Sequence, residues 1–182
     1  AIHEDNPEFM RVKELGIPML DRADCLGQIM SHYKNAVAVA GTHGKTTTTS
    51  MLSYVYLAAD LDPTISVGGI FLSGIHGNMR LGRSENFIME ACEYANSFLS
   101  FTPTTAIVLN VEAEHLDFFG TLENERLSFT KFIDLLPENG LLVINNEIAD
   151  LNALIQNKNI RVVQYGLRPV DGKAPDYTAA NI

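Results

Sequence analysis

Gly41-Thr42-His43-Gly44-Lys45-Thr46-Thr47 stands directly after the apolar run Ala36-Val37-Ala38-Val39-Ala40 and directly before a stretch of helical period. Five small or β-branched residues with no polar break read as a strand buried on both faces, the kind that parallel sheets contain. The glycines let backbone N–H groups close around an anion, the helix start adds partial positive charge, and Lys45 neutralises outer phosphates. The hydroxyl of Thr46 is placed to coordinate Mg²⁺. This is the short loop G-x-x-G-K-T: the position six residues before Lys45, glycine in the common phosphate loop, is Val39. The chain must therefore fold so that a strand end, a tight turn and a helix N-terminus meet.

The rest of the sequence alternates short apolar runs with helical periods, which predicts an α/β fold with a mostly parallel sheet flanked by helices. Further strands are expected at Thr64 to Val67, Asn86 to Glu90, Thr105 to Asn110, Leu141 to Asn145 and Arg161 to Tyr165. The helix after the loop would bury Met51, Leu52, Val55, Ala58 and Ala59. Others fall near Glu123 to Leu136, with Leu122, Phe129, Phe132, Ile133 and Leu136 in phase, and near Ile148 to Gln156. Gly68 to Gly82, rich in glycine and polar residues, reads as a loop or small hairpin.

Residues 1–35 hold no strand. Asn6-Pro7-Glu8 opens a capped helix with Phe9, Val12 and Leu15 that stops at Gly16 and Pro18, and a second helix spans about Ala23 to Tyr33 with Leu26, Ile29 and Met30 on one face. They look like the tail of a preceding domain, with residues 36–182 forming the nucleotide-binding one. Ala179-Ala180-Asn181-Ile182 follow a loop containing Pro169, Gly172 and Pro175 with no terminating element, so a piece of a longer protein is expected. Its incomplete sheet would leave an edge through which two copies could associate.

Composition narrows the partners. Among 182 residues, 13 Lys and Arg face 22 Asp and Glu, a formal charge of −9, which argues against nucleic acid or an anionic membrane. Hydrophobic residues at 46% and charged residues at 19% allow a real core. Cys25 and Cys92 are too few for a disulfide scaffold and a poor start for a zinc site. No apolar run approaches about eighteen residues and no signal pattern opens the chain, so a cytoplasmic setting is expected.

Glu90 ends one apolar run and Asn110 another, the latter followed by Val111-Glu112-Ala113-Glu114-His115-Leu116-Asp117. Strand ends of a parallel sheet lie along one edge, where ligands bind, so Gly41, Glu90 and Asn110 should converge. Singly, Glu90 reads as a solvated strand-end charge and His115 as a hydrogen-bonded histidine; beside Lys45 both read as ligands for metal ions that bridge to phosphates. His3, His32 and His76 lack such company and are taken as structural or exposed. Cys92 is taken as a buried small residue, and Glu123, Glu125 and Arg126 as the solvated first turn of a helix.

These motifs also resemble the Mur ligases, in particular the alanine-adding branch. Gly41 to Thr49 is similar to the family's ATP loop. Glu90-Ala91-Cys92-Glu93-Tyr94 with Ser97-Phe98-Leu99 resembles its E-A-D-E segment, and Asn110 to Asp117 its N-[IV]-E-x-D-H-x-D segment. The separation of 25 positions from Glu90 to His115 also fits. Asn6-Pro7-Glu8, Gly16-Ile17-Pro18 and Arg22-Ala23 look like the end of the family's UDP-sugar-binding domain. The resemblance implies a remnant of that domain over 1–35, the first part of the central ATPase domain over 36–182, and an absent C-terminal domain, so that the isolated piece would not complete a reaction. It implies ATP and Mg²⁺ as cofactors, and UDP-N-acetylmuramic acid and L-alanine as substrates joined through an acyl phosphate. Lys45, Glu90, His115 and Asn110 would be catalytic; Gly41, Thr42, His43, Gly44, Lys45, Thr46 and Thr47 would bind nucleotide, with the amides of Thr42 to Thr46 as the cradle; Thr46, Glu90 and His115 would hold metal.

Cys92 and Ala95 replace acidic residues of the pattern, and Glu114 replaces an Asp. A carbamylated lysine used by several relatives has its counterpart near Ser128, with Lys131 one turn away; the alanine-adding branch also lacks it. Within the family the alternative is a recycling ligase that attaches a tripeptide, against which Asn78-Met79-Arg80-Leu81-Gly82 and Phe98-Leu99 speak. Outside it stand a P-loop kinase or regulatory NTPase and a non-catalytic nucleotide-binding domain.

Overall fold

The computed structural model describes residues 3–70, 75, 77–155 and 159–179. Eight strands form one sheet in the order β3-β2-β4-β1-β5-β6-β7-β8: β1 (Asn35–Ala40), β2 (Thr64–Ser66), β3 (Met79–Arg80), β4 (Asn86–Glu90), β5 (Thr105–Val108), β6 (Leu141–Asn145), β7 (Arg161–Gly166) and β8 (Tyr177–Thr178). Every pairing is parallel except β2 with β3. β1 lies between β4 and β5, so the chain winds one way from β1 to β2 and the other way from β5 to β7. The order reverses at β4-β1-β5, where an open α/β sheet forms its crevice.

The helices are α1 (Pro7–Glu14), α2 (Arg22–Met30), α3 (Lys45–Ala58), α4 (Leu116–Phe119), α5 (Leu122–Ile133) and α6 (Leu151–Leu154), with a 3-10 segment at Tyr94–Ser100. β3, β8 and the 3-10 segment are too short to leave a period in the sequence. The helix expected to reach Gln156 ends at Leu154; Gln156, His76, residues 71–74 of the expected loop and residues 180–182 lie outside the described residues.

One core holds Ala36, Ala38, Phe87, Met89, Ala106, Leu142 and Ile144 against Phe98, Phe129, Phe132 and Ile133. α2 adds Ala23, Leu26 and Met30 to that core, whereas α1 buries no residue. Ile29, expected beside Leu26 and Met30, is exposed. α1 still ends as its sequence dictates: Asn6 Oδ1 accepts from Glu8 N and Phe9 N, and Gly16 stops it at φ 64°. Packing thus joins α2, but not α1, to the sheet.

The rotation of α3 corrects the sequence reading. Met51 and Val55 are 65% and 63% exposed, and Ala58 and Ala59 also face solvent, while Thr49 and Ser53 are buried. Their hydroxyls donate to the carbonyls of Lys45 and Thr49, both at 2.7 Å, so burial leaves neither unsatisfied. The loop fixes where α3 starts and points, and small side chains let it lie close to β1 and β4.

At the sheet's far edge β8 covers only Tyr165 and Gly166 of β7, and Asp176 Oδ2 accepts from Gln164 N at 2.7 Å.

A β-carbon on Gly27 would collide with the carbonyl of Ser100, where α2 meets the 3-10 segment. Gly27→Ala should destabilise the chain by about 1–3 kcal/mol, as overpacking does; an unchanged denaturation midpoint would contradict this close approach.

Candidate functional site

The loop after β1 is held from the side by the loop after β5. Asn110 Oδ1 accepts from His43 N at 2.7 Å, Asn110 Nδ2 donates to His43 O at 3.1 Å, and Asn110 O accepts from Thr42 N at 3.2 Å. Thr42 Oγ1 accepts from Glu112 N at 2.9 Å. Asn110 is a brace for the loop. The amides of Thr42 and His43 are thereby engaged, which moves the cradle along the chain from the expected Thr42 to Thr46. Gly44 N-caps α3 at φ 81° and Thr48 N donates to Gly44 O at 2.9 Å; the amides of the intervening first turn are those that a helix start leaves without an intrahelical partner. Gly41, at φ 142°, packs where a β-carbon would press on Leu109 at 3.0 Å.

Lys45 is turned inward. Its Nζ donates to Gly41 O at 2.6 Å, Thr42 O at 3.0 Å and Glu93 Oε1 at 3.0 Å. The Glu93 side chain is fully buried and that of Lys45 is 13% exposed. His115 Nε2 stands 3.5 Å from the same Glu93 oxygen, with the Tyr94 ring 4.9 Å from the imidazole. One buried carboxylate therefore faces both the loop lysine and the histidine. His43, exposed at the rim, lies 3.4 Å from Glu114 and 4.0 Å from Glu112.

Glu90 leaves β4 on the α3 side. Thr46 Oγ1 is 2.9 Å from both of its oxygens, and Gly68 N donates to Oε2 at 2.6 Å. A β-carbon on Gly68 would press on Glu90 at 2.9 Å, and one on Gly69 on Thr46 at 2.9 Å, so this glycine pair closes the site from β2. A hydroxyl and a carboxylate offer the hard oxygens that Mg²⁺ takes while keeping water and phosphate as its other ligands. Among the described residues no three His, Cys, Asp or Glu side chains form a ready metal cage. Thr46 and Glu90 offer two of the oxygens such an ion would take.

The expected convergence of Gly41, Glu90 and Asn110 is present, and His115 lies beside them. Sequence reasoning missed Glu93, although the inward alternation Phe87, Met89, Ala91 reaches it next. The same alternation turns Cys92 outward, so it is exposed, not buried as expected. Partial desolvation nonetheless raises its thiol pKa, opposed by the Tyr94 backbone N–H. Ala95 and Asn96 follow at φ 54° and 58°, and Ser128 Oγ donates to Asn96 Oδ1 at 2.5 Å, pinning a left-handed pair that only surrounding structure can hold.

Glu125 was also misread. It is fully buried in α5, Oε2 accepts from Glu114 N at 3.1 Å, and Oε1 has no hydrogen-bond partner. Burial raises its pKa, opposed by the Glu114 N–H; Glu93 raises it further, His115 lowers it, and Glu114 raises it. The signal was available: 125, 128, 129, 132, 133 and 136 make one helical stripe, and all six are buried.

Residues 39–182 match the family model described as the Mur ligase middle domain, and residues 1–34 that described as the Mur ligase family catalytic domain. The chain is 53% identical over its whole length to a UDP-N-acetylmuramate–L-alanine ligase of Lachnospira eligens, covering 39% of it. It thus spans about two fifths of the length of such curated relatives. Among solved structures it resembles the UDP-N-acetylmuramate-alanine ligase of Thermotoga maritima, at TM-score 0.78 and 30% identity over 93% of this chain and 37% of that one. It also resembles the UDP-N-acetylmuramate:L-alanyl-gamma-D-glutamyl-meso-diaminopimelate ligase of Neisseria meningitides, at TM-score 0.77 and 26% identity over 90% of this chain and 56% of that one.

Removing one partner of a buried ion pair leaves the other uncompensated. Lys45→Ala should therefore destabilise the fold by about 3–5 kcal/mol, and adding Glu93→Gln should restore much of the loss. Additive losses in a denaturation double-mutant cycle would contradict the pair.

Proposed function

The chain belongs to the Mur ligase family, and on that premise we propose that its parent protein is an ATP-dependent amide ligase of peptidoglycan precursor synthesis. It joins L-alanine to the lactyl carboxylate of UDP-N-acetylmuramic acid. The observation that carries the chemistry is the meeting of Lys45, Thr46, Glu90, Glu93 and His115 at the sheet's switch point. Identity across the whole chain to a ligase named for that substrate and amine supports the choice of reaction.

In this reading the substrate carboxylate attacks the γ-phosphorus of ATP, ADP leaves, and the amine of L-alanine then attacks the acyl phosphate and releases phosphate. Phosphoryl transfer asks a protein for position and charge neutralisation. The free amides of the first turn of α3 would cradle the phosphates while Lys45 exchanges its carbonyl contacts for β- and γ-oxygens. Thr46 and Glu90 would hold a Mg²⁺ ion, and His115 a second, screening phosphate charge when bound. Glu93 keeps Lys45 and His115 at a set separation, and Asn110 holds the loop rigid. No described helix is long and apolar enough to cross a membrane, and the substrates are charged small molecules. Residues 1–35 are read as the end of a UDP-sugar-binding domain.

The test is phosphate release by the full-length protein with ATP, Mg²⁺ and UDP-N-acetylmuramic acid. Release should require L-alanine and stop when Mg²⁺ is chelated. Release with the L-alanyl-γ-D-glutamyl-meso-diaminopimelate tripeptide alone would favour the second reading, which the fold likeness to the Neisseria enzyme supports. Nucleotide binding without release under either condition would leave a binding domain. Lys45→Ala/Glu93→Gln should keep the fold yet lower turnover by about a hundredfold or more.

A further inference from the structure

The reading above gives Glu125 no part, yet a buried carboxylate on a core stripe demands one. Its surroundings lead to His115. That histidine has φ 51° and ψ 37°, a left-handed conformation that a side chain with a β-carbon adopts only when its neighbours enforce it. On its C-terminal side the carbonyl of His115 accepts from Phe118 N and Phe119 N, both at 2.9 Å, which closes α4. On its N-terminal side the Ala113–Glu114 peptide donates its N–H to Glu125 Oε2 at 3.1 Å. Glu125 itself cannot shift, because Phe129, Phe132 and Ile133 on the same stripe lock α5 into the core. Thr121 fixes the start of that helix by accepting from Asn124 N at 3.2 Å. The core thus reaches the turn before His115 through a rigid arm, beside the Tyr94 ring that packs on the imidazole and the Asn124 side chain that donates to Phe119 O at 2.8 Å.

We propose that Glu125 is the positioning residue for His115: it accepts the Glu114 N–H, fixes the left-handed turn at His115, and so sets the distance between the imidazole and Glu93. This rests on the reading that His115 faces the reacting phosphates. A leucine would have done as well for packing alone and would have spared the burial of a carboxylate; a glutamine would keep an acceptor for the same N–H. Those two replacements separate the possibilities.

Glu125→Leu and Glu125→Gln are made in the full-length protein and compared by hydrogen–deuterium exchange and by L-alanine-dependent phosphate release. With Glu125→Leu, exchange should rise over residues 112–119 and stay unchanged over 40–50. Its kcat should fall about ten- to a hundredfold, while the KM for ATP, set by the phosphate loop, moves by no more than about twofold. Glu125→Gln should restore both protection and most of kcat. Unchanged exchange over 112–119 in the leucine variant overturns the proposal. So does a glutamine variant that folds but loses as much kcat as leucine, since charge would then matter and not the held N–H. If leucine unfolds the protein, the glutamine variant decides by its protection and kcat. If the unaltered protein releases no phosphate with L-alanine, the functional reading has failed, and the exchange comparison still tests the arm.

Discussion

A lysine and a glutamate, both withdrawn from solvent, sit under the phosphate loop, and much of the local architecture is arranged around keeping them together. Glu93 can meet Lys45 only if the chain leaves β4 without breaking its alternation and then turns sharply through Ala95 and Asn96. Lys45 can meet Glu93 only if α3 begins at Gly44 and lies close to β1 and β4, which is why its buried stripe is built of hydroxyl-bearing residues. His115 approaches the same carboxylate from β5 by way of another left-handed residue. Three strand ends at the switch point of the sheet are thus tied by one buried charge pair, and the strained backbone gathers around it.

The parts legible in sequence were those with a short-range physical signature. β4 and β6 follow from apolar runs bounded by polar residues, and their limits match what the runs predict. The tight turn from β1 to α3 follows from its glycines, and the convergence of Gly41, Glu90 and Asn110 from the rule that parallel strands end on one edge. Roles were less legible than positions. Asn110 reads as a polar group for a ligand, but its amide is spent on the backbone of His43, a contact between residues far apart in the chain.

The misreadings share a cause. Hydrophobicity alone points to the wrong face where polar residues are the buried ones, as they are at this site. Met51 and Val55 lost to Thr49 and Ser53 because close approach of α3 favoured small side chains over apolar ones. Glu93 and Glu125 were passed over because carboxylates are seldom buried, although period two and period 3.6 put them inside. Where periodicity and hydrophobicity disagree over these two carboxylates, periodicity is right: Glu93 stands 3.5 Å from His115, and Glu125 accepts from the N–H of the residue before that histidine.

The inward turn of Lys45 bears on what the loop can admit. Its ammonium is already surrounded by the carbonyls of Gly41 and Thr42 and by a carboxylate, so on the proposed reading the resting loop contains a stand-in for the phosphates it would receive. An incoming ion must replace those oxygens with better ones. On that reading chloride or a lone phosphate would offer fewer contacts at once than a polyphosphate, which would engage the helix amides first and draw the lysine outward afterwards. Selectivity among anions would then arise from how many oxygens a ligand brings together, before any base or sugar is inspected.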